Sequence, residues 1–277
     1  MSLINVSNLT FSYEGSYDNI FENVSFQIDT DWKLGFIGRN GRGKTTFLNL
    51  LLGKYAYSGN ISSTVKFEYF PYDVEDKSLY TIEVMKSICT ECMDWEIFRE
   101  ISLLDVQEDA LYRPFNTLSN GEQTKVLLAA LFLTASCFLL IDEPTNHLDI
   151  DARNVVQNYL KRKKGFILVS HDRSLLDQCV DHILSINKTN IEIQKGNFTS
   201  WWENKTLQDN FELAENKKLL KEIGRLSYAA KRSSNWSNKV EKSKYGTSNS
   251  GSKLDKGYVG HKAAKAMKRA KNIESRQ

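Results

Sequence analysis

Residues 38–45 of this chain read Gly-Arg-Asn-Gly-Arg-Gly-Lys-Thr and match the pattern G-x-x-x-x-G-K-S/T. The apolar residues 34–37 before this segment are typical of a strand, and residues 45–52 after it are typical of a helix. A glycine-rich turn in this position exposes backbone N–H groups, which bind anionic oxygens together with the helix N-terminus. The sequence therefore predicts a phosphate-binding loop, and with it an α/β fold.

This loop supplies the first group of predicted site residues. We expect Lys44 to bridge the terminal phosphates of a nucleotide and the Thr45 hydroxyl to bind Mg²⁺. Strand, loop and helix stand in the order that the motif requires, which disfavours a chance glycine turn. The residues predicted to surround the bound nucleotide are Gly38, Arg39, Asn40, Gly41, Arg42, Gly43, Lys44, Thr45 and Thr46.

Two adjacent carboxylates follow another apolar run. Residues 138–141, Phe-Leu-Leu-Ile, lead directly into Asp142 and Glu143. Because successive strand residues point to opposite faces, one acid can bind metal while the other acts on water. We expect Asp142 to hold Mg²⁺, directly or through water, and Glu143 to polarise the water that attacks the γ-phosphate. The alternative is an ordinary pair of solvated surface acids.

Apolar runs alternate with helix-like stretches along residues 1–202. This alternation predicts one α/β domain over residues 1–202, with a small helical subdomain at about residues 75–120. A Leu- and Ala-rich stretch at 122–133 predicts a further helix. The predicted strands lie at residues 4–6, 24–28, 34–37, 138–141 and 166–169.

Residues 203–277 differ from the rest in charge and pattern. Their apolar spacing predicts one long helix and, from residue 261, a second helix. Residues 231–277 carry 13 lysines and arginines against three acidic residues, whereas residues 1–202 are net acidic. We predict a basic helical hairpin for an anionic partner, with its tip at about residues 244–260; the alternative is a solvated linker. The second helix reaches residue 277 without a capping signal, so we expect the sequence to be cut off from a longer protein.

Several other classes of protein are disfavoured. No run of about 18 apolar residues is present, and the N-terminus lacks a basic region followed by an apolar core. We therefore expect a cytoplasmic protein with no membrane contact. Cys89 and Cys92 form a Cys-x-x-Cys pair with no second pair to complete a zinc site, so reduced thiols are expected.

Three further motifs resemble those of the ATP-binding cassette (ABC) ATPases. Residues 118–123, Leu-Ser-Asn-Gly-Glu-Gln, resemble the LSGGQ signature, and residues 144–149, Pro-Thr-Asn-His-Leu-Asp, resemble the D-loop in its ABC-F form. His171 resembles the switch histidine that contacts the γ-phosphate, and Tyr13 stands where the family places an aromatic ring against adenine.

The resemblance implies an ABC-type nucleotide-binding domain that binds ATP and Mg²⁺ and hydrolyses ATP. Glu143 and His171 would be its catalytic residues. In this family ATP lies between the phosphate loop of one cassette and the signature of another. Full activity would therefore need a second cassette, whose nucleotide is contacted by Ser119, Gly121 and Glu122.

ABC-F proteins resemble two tandem cassettes joined by a basic helical linker, and residues 1–202 and 203–277 resemble the first cassette and most of that linker. Within ABC-F, the chain is most similar to the Lsa-type antibiotic-resistance proteins. The similarity lies in residues 32–44, in Tyr-Phe-Pro at 69–71 and in Lys-Ala-Met-Lys-Arg at 265–269.

The resemblance implies a partner, the bacterial ribosome, with contacts to 23S rRNA and peptidyl-site tRNA through the linker. It further implies protection against lincosamides, pleuromutilins and streptogramin A compounds at the peptidyl transferase centre. Lysines suit phosphates, and aromatic rings suit unstacked bases. The expected RNA-contacting tip residues are Lys244, Tyr245, Lys253 and Tyr258.

Two positions depart from the family pattern. Tyr72 stands where a glutamine usually helps to hold Mg²⁺ and water, and a phenol is the poorer metal ligand, so slower hydrolysis is expected. Asn120 replaces the first signature glycine, and asparagine tolerates unusual φ values.

Two other functions remain open: a housekeeping ABC-F translation factor, and the ATPase subunit of an ABC transporter.

Overall fold

The computed structural model describes residues 2–146, 148–187, 190–242 and 256–276. Its chain divides into two compact units, Met1–Glu203 and Asn204–Gln277. The strands are β1 (Leu3–Phe11), β2 (Phe21–Asp29), β3 (Lys33–Ile37), β4 (Ser58–Ser62), β5 (Lys66–Phe70), β6 (Cys137–Asp142), β7 (Phe166–Val169), β8 (His182–Asn187) and β9 (Asn190–Lys195). The helices are α1 (Lys44–Leu51), α2 (Thr81–Ile88), α3 (Asp94–Leu103), α4 (Asn120–Leu133), α5 (Ile150–Arg162), α6 (Arg173–Cys179), α7 (Phe198–Lys242) and α8 (Lys256–Arg276).

The first unit is built on a six-stranded sheet in the order β5-β6-β7-β3-β8-β9. Its strands pair in parallel except for β8 with β9, which are antiparallel. A separate three-stranded antiparallel sheet has the order β2-β1-β4. The predicted α/β fold and the five predicted strands are confirmed. Three of these strands, β3, β6 and β7, lie in the parallel part of the six-stranded sheet, where neighbouring strands need crossover connections.

Strand β6 positions the first carboxylate. Phe138 and Leu140 face the core that contains Phe47 and Leu48 of α1, whereas Leu139 and Ile141 face the opposite core, which includes much of α4. This alternation follows from the two-residue period of a strand. Asp142, two residues after Leu140, therefore ends the strand on the side of α1, where the phosphate-binding loop lies.

Helices α2 and α3, with 3₁₀ turns at Glu108–Tyr112 and Phe115–Thr117, form the predicted helical segment between β5 and α4. Glu100 of α3 is 1% exposed and accepts hydrogen bonds from Tyr159 of α5 (2.6 Å) and from Lys163 (2.5 Å), which directly follows α5. A buried carboxylate without such partners would be strongly unfavourable. This cluster therefore fixes α3 to α5.

The second unit consists of the later part of α7 together with α8, so both predicted helices are present. The predicted start of the second helix at residue 261 is wrong, because α8 begins at Lys256 and includes the last part of the predicted tip. Leu207, Phe211 and Leu220 of the long helix are each more than half exposed. Within the described ranges, neither these helices nor any other combines the length and hydropathy of a bilayer-spanning segment. Residues 244–255 of the predicted tip lie outside the described residues.

Candidate nucleotide site

The phosphate-binding loop joins the end of β3 to the start of α1. Gly41 and Gly43 have φ values of 75° and 95°, a left-handed conformation that glycine adopts without strain. A Cβ atom at Gly43 would lie 2.6 Å from Cγ2 of Ile20, so both space and backbone require glycine there. The Lys44 ammonium group donates a hydrogen bond to the Gly38 carbonyl oxygen at 2.9 Å and thus lies across the loop.

A cavity of about 480 Å³ opens at this loop. It brings together residues from the loop, from the end of β6 and from the segment after β7. Its lining residues are Tyr13, Ile20, Asn40, Gly41, Gly43, Lys44, Thr45, Thr46, Asp142, Glu143, Val169 and His171. Most predicted nucleotide-binding and catalytic residues therefore meet at one place, although Gly38, Arg39 and Arg42 do not line the cavity.

Thr45 and Asp142 lie side by side at the floor of the site. The Thr45 hydroxyl donates a hydrogen bond to Oδ2 of Asp142 at 3.2 Å, across 97 residues of sequence. Hard oxygen ligands in this arrangement suit Mg²⁺, which commonly takes one or two protein oxygens and completes its shell with water and phosphate. The described residues contain no group of three or more His, Cys, Asp or Glu that could hold a metal without a phosphate ligand.

Tyr69 is a site residue that the sequence did not reveal. Its hydroxyl donates a hydrogen bond to the same Asp142 oxygen at 3.1 Å, and the Lys54 ammonium lies 5.5 Å from its ring centroid. Burial, followed by the negative charge of Asp142, raises the pKa of Tyr69, so its hydroxyl stays protonated as a donor. Tyr72, the position expected to meet the metal, instead packs against the hydrophobic core.

Glu143 has an unusual backbone and an unsatisfied side-chain oxygen. Its φ of 49° is left-handed, and its N–H donates to the Val169 carbonyl oxygen at 2.9 Å. Its Oε1 is buried and has no hydrogen-bond partner among the described residues. Nε2 of His171 approaches Oε1 to 3.6 Å, too far for a hydrogen bond. A buried acceptor without a donor is costly to maintain, and such groups are often found at functional sites.

Burial changes the pKa values of two charged groups of the cavity in opposite directions. It raises the pKa of Glu143, while the neighbouring His171 and Lys44 partly oppose that change. It lowers the pKa of Lys44, against the opposing charges of Asp142 and Glu143. Both groups are therefore poorly solvated as ions, and an anionic phosphate beside Lys44 would offset its desolvation.

Tyr13 lies at the rim of the cavity. Its hydroxyl is 2.8 Å from the Thr46 hydroxyl, and its ring is 42% exposed. The rings of Phe11 and Tyr55 contact it edge to face at 5.1 and 5.7 Å, so its orientation is fixed from two sides. An oriented ring with an accessible face can stack on a base without reading its hydrogen-bonding groups.

The signature segment forms the N-terminus of α4 and does not line the cavity. The exposed Ser119 is the helix N-cap, and its N–H and hydroxyl both donate to Oε2 of Glu122 at 2.8 Å, which forms a capping box with Glu122. Asn120 begins the helix, so the tolerance of asparagine for unusual φ is not needed here. Gly121 follows in the first turn.

The expected tip residues are less completely placed. Lys244, Tyr245 and Lys253 lie outside the described residues, as does His147 of the D-loop segment. Tyr258 belongs to α8 and is 65% exposed, with the Lys262 ammonium 5.9 Å from its ring centroid.

Residues 21–146 match the family model described as ABC transporter. The chain is 27% identical to ABC transporter F family member 5 of Arabidopsis thaliana, over 73% of this chain and 30% of that protein. It is 31% identical to the ribosome protection protein VmlR of Bacillus subtilis, over 69% of this chain and 35% of that protein. The chain thus spans about a third of the length of these curated relatives.

A solved structure of an ABC transporter in an inward-facing conformation has the same fold. The TM-score is 0.60 at 20% identity, covering 70% of this chain and 84% of that one. At this identity the likeness concerns the fold alone.

Proposed function

We propose that this chain, which contains an ABC transporter ATP-binding domain, is an ABC-F ATPase that acts on the bacterial ribosome and protects it from antibiotics of the peptidyl transferase centre. The observation that carries the proposal is a nucleotide-type cavity in the same chain as a strongly basic two-helix unit. The names of the relatives support it, because they include an ABC-F member and a ribosome protection protein.

Several residues in and beside the cavity have proposed roles in ATP binding. Lys44 and the loop N–H groups hold the phosphates, and Tyr13 supports the adenine. Thr45 and Asp142 would hold Mg²⁺, which would supply neutralisation of the phosphate charge. Tyr69 orients Asp142 by its hydrogen bond.

The proposed catalytic step uses Glu143 and His171. The free Oε1 of Glu143 accepts a hydrogen bond from the attacking water and aligns it with the γ-phosphate. A raised pKa makes this carboxylate a stronger base than an ordinary glutamate. His171, whose side chain is 66% exposed, lies beside Glu143 and contacts the γ-phosphate.

We further propose that a second cassette completes the site. Ser119, Gly121 and Glu122 lie outside the cavity, and the exposed Ser119 caps a 14-residue helix. A helix N-terminus suits an anionic phosphate. These residues would contact nucleotide that is bound to the second cassette, and a single cassette would bind ATP weakly and confer little resistance.

The proposed partner of the basic unit is ribosomal RNA, with 23S rRNA and peptidyl-site tRNA as its contacts. Its surplus of lysine and arginine suits a phosphate backbone. The drug classes proposed are lincosamides, pleuromutilins and streptogramin A compounds, at the peptidyl transferase centre.

Ribosome co-sedimentation tests this proposal. The Glu143→Gln chain, expressed together with a second cassette and held at saturating ATP with Mg²⁺, should pellet with bacterial ribosomes, because it retains nucleotide that it cannot hydrolyse. The matched control, Lys44→Ala with Glu143→Gln, should stay in the supernatant. Partition into membranes in place of ribosomes would support a transporter ATPase.

Drug susceptibility separates resistance from housekeeping. Cells that express the chain together with a second cassette should tolerate more lincosamide than cells that express the Lys44→Ala form. Unchanged susceptibility with intact ribosome binding would assign a translation factor and contradict the protective role.

A further inference from the structure

The helices of the second unit form a groove in addition to their basic surface. We propose that this groove, between α7 and α8, binds an unpaired segment of RNA by stacking its bases on aromatic rings and pairing its phosphates with the surrounding cations. The choice of RNA as the class of partner rests on the proposed function. It concerns a site distinct from the predicted tip, because nearly all of its lining lies outside residues 244–260.

Small residues bring the two helices close along one edge. Ala230 of α7 and Ala263, Ala266 and Ala270 of α8 are buried between them. The hydroxyl of Ser233 donates to the carbonyl oxygen of Ala266 at 2.9 Å, and that of Ser237 donates to the carbonyl oxygen of Ala263 at 2.8 Å. These interhelical hydrogen bonds fix the register of the pair and hold the walls of the groove in place.

The groove itself has a volume of about 790 Å³. Three aromatic side chains line it, namely Tyr228 and Trp236 of α7 and Tyr258 of α8, and they are between 44% and 72% exposed. Singly exposed aromatic residues such as Phe211 are ordinary, but three exposed rings that line one groove form a patch of the kind that marks an interaction site. Their flat faces suit bases, which stack regardless of sequence.

Four of the other lining residues are cationic, namely Arg232, Lys262, Lys265 and Arg269. Among the residues that the structure describes, no aspartate or glutamate lines the groove. The ammonium of Lys262 lies 5.8 Å from the Trp236 ring centroid and 5.9 Å from that of Tyr258, so one positive charge stands beside two rings. A nucleotide stacked on either ring would have its phosphate within reach of a cation.

This combination favours nucleic acid over other anionic partners. An anionic membrane surface is bound by exposed basic residues flanked by apolar side chains that project and insert, whereas the three rings here line a concave groove whose aliphatic lining, among the described residues, is alanine. An unpaired RNA strand suits both the rings and the cations of the groove, since its bases are flat π surfaces and its phosphates are negatively charged. A duplex would satisfy the cations while leaving the rings without a stacking partner.

Fluorescence anisotropy of a labelled single-stranded RNA of about ten nucleotides, titrated with the whole chain, tests the inference. Trp236→Leu with Tyr258→Leu should weaken binding about tenfold, whereas the control Phe211→Leu, an exposed aromatic of α7 outside the groove, should leave it unchanged. Circular dichroism shows whether both variants keep their helices. Equal binding by the groove and control variants would overturn the inference.

A charge pair provides the second arm. Arg232→Gln with Lys265→Gln should weaken binding and reduce its salt dependence more than Lys217→Gln with Lys221→Gln, which removes the same charge from α7 outside the groove. Equal losses would mean that only net charge matters and would contradict a groove site. Groove-dependent binding to phosphatidylserine vesicles, without binding to the RNA, would also overturn it.

The failure of this inference is distinguishable from that of the proposed function. If the groove variants bind RNA normally while Glu143→Gln still pellets with ribosomes, only the groove assignment fails. If the parent chain binds the oligonucleotide through the groove and never pellets with ribosomes, only the ribosome assignment fails.

Discussion

The hydroxyl of Tyr69 donates a hydrogen bond to Oδ2 of Asp142 over 3.1 Å. The same oxygen accepts from Thr45, so one carboxylate oxygen is held from two sides. Groups that orient a metal ligand in this way commonly affect metal affinity about tenfold to a hundredfold. Tyr69 is therefore part of the site even though it does not line the cavity.

Tyr69→Phe removes this hydrogen bond and keeps the ring. We expect the Mg²⁺ concentration for half-maximal ATP hydrolysis to rise about tenfold, because Asp142 loses an orienting donor. The control is Tyr72→Phe, since Tyr72 packs against the core and should not change the Mg²⁺ dependence. An equal shift in both variants would contradict the assignment of Tyr69.

Glu143→Gln should raise thermal stability at neutral pH. Burial raises the pKa of Glu143 in the folded chain, so the folded state binds this proton more tightly than the unfolded state. The ionised group then lowers the free energy of unfolding as pH rises from the ordinary value of 4.5 through the folded-state pKa. The gain in the unfolding midpoint should vanish in acid, at pH values below both the ordinary and the folded-state pKa of Glu143.

The control variant for that experiment should change the unfolding midpoint in the opposite direction. Hydrogen bonds from Ser119 lower the pKa of Glu122, so its ionised form stabilises the fold at neutral pH and this contribution is lost as the pH falls. Glu122→Gln should lower the unfolding midpoint at neutral pH and have little effect in acid. Parallel responses of the two variants would contradict the assigned causes.

Lys163→Met should be strongly destabilising. It removes one of the two cations that pair with the buried Glu100 carboxylate and leaves Arg99, which lies 3.0 Å from Oε1, so we expect a loss near the lower end of the about 3–5 kcal/mol that breaking a buried pair typically costs. Burial raises the pKa of Glu100, but hydrogen bonds from Lys163 and Tyr159 outweigh it and the net pKa is lowered. The stabilising contribution of Glu100 is therefore present at neutral pH and lost in acid.

Denaturant unfolding measures this loss. The matched control, Lys164→Met, removes the same charge from the next, exposed residue and should change stability by less than about 0.5 kcal/mol. Similar losses in the two variants would show that net charge, not the buried pair, is responsible.

Tyr13→Ala should weaken ATP binding about tenfold, because the base loses an oriented stacking surface. Tyr13→Phe keeps the ring and loses only the contact with the Thr46 hydroxyl, so its effect should be smaller. Isothermal titration with ATP and with GTP measures both variants. We expect similar losses of affinity for ATP and GTP, because a ring face does not read hydrogen-bonding groups. Equal losses in the two variants would instead show that the hydroxyl, and not the ring, contributes to binding.

The positions of Lys44, Thr45 and Asp142 relative to the sheet were predictable from the sequence. A loop motif between strand and helix, and acids at a strand end, specify local geometry that few other contacts can change. The helices of the second unit were also predictable from their spacing. The contact between particular faces of these two helices was not predictable, because the buried alanines of α8 are far in sequence from Ser233 and Ser237.

The choice between Tyr69 and Tyr72 could not be made without strand pairing. In the parallel pair of β5 and β6, Tyr69 lies opposite Leu140 and therefore shares a face with Leu140 and Asp142. Tyr72 comes after the end of β5, where the alternation no longer applies. The left-handed backbone of Glu143 was equally invisible, since no glycine or asparagine marks it.

The alternation along β6 limits how this gene segment can change. Exchanging Leu139 or Ile141 for another aliphatic side chain alters packing but leaves every later residue on its own face. Inserting or deleting a single codon would instead turn the following acid away from the phosphate-binding loop and present its neighbour. Residue count in this strand is therefore under tighter constraint than residue identity.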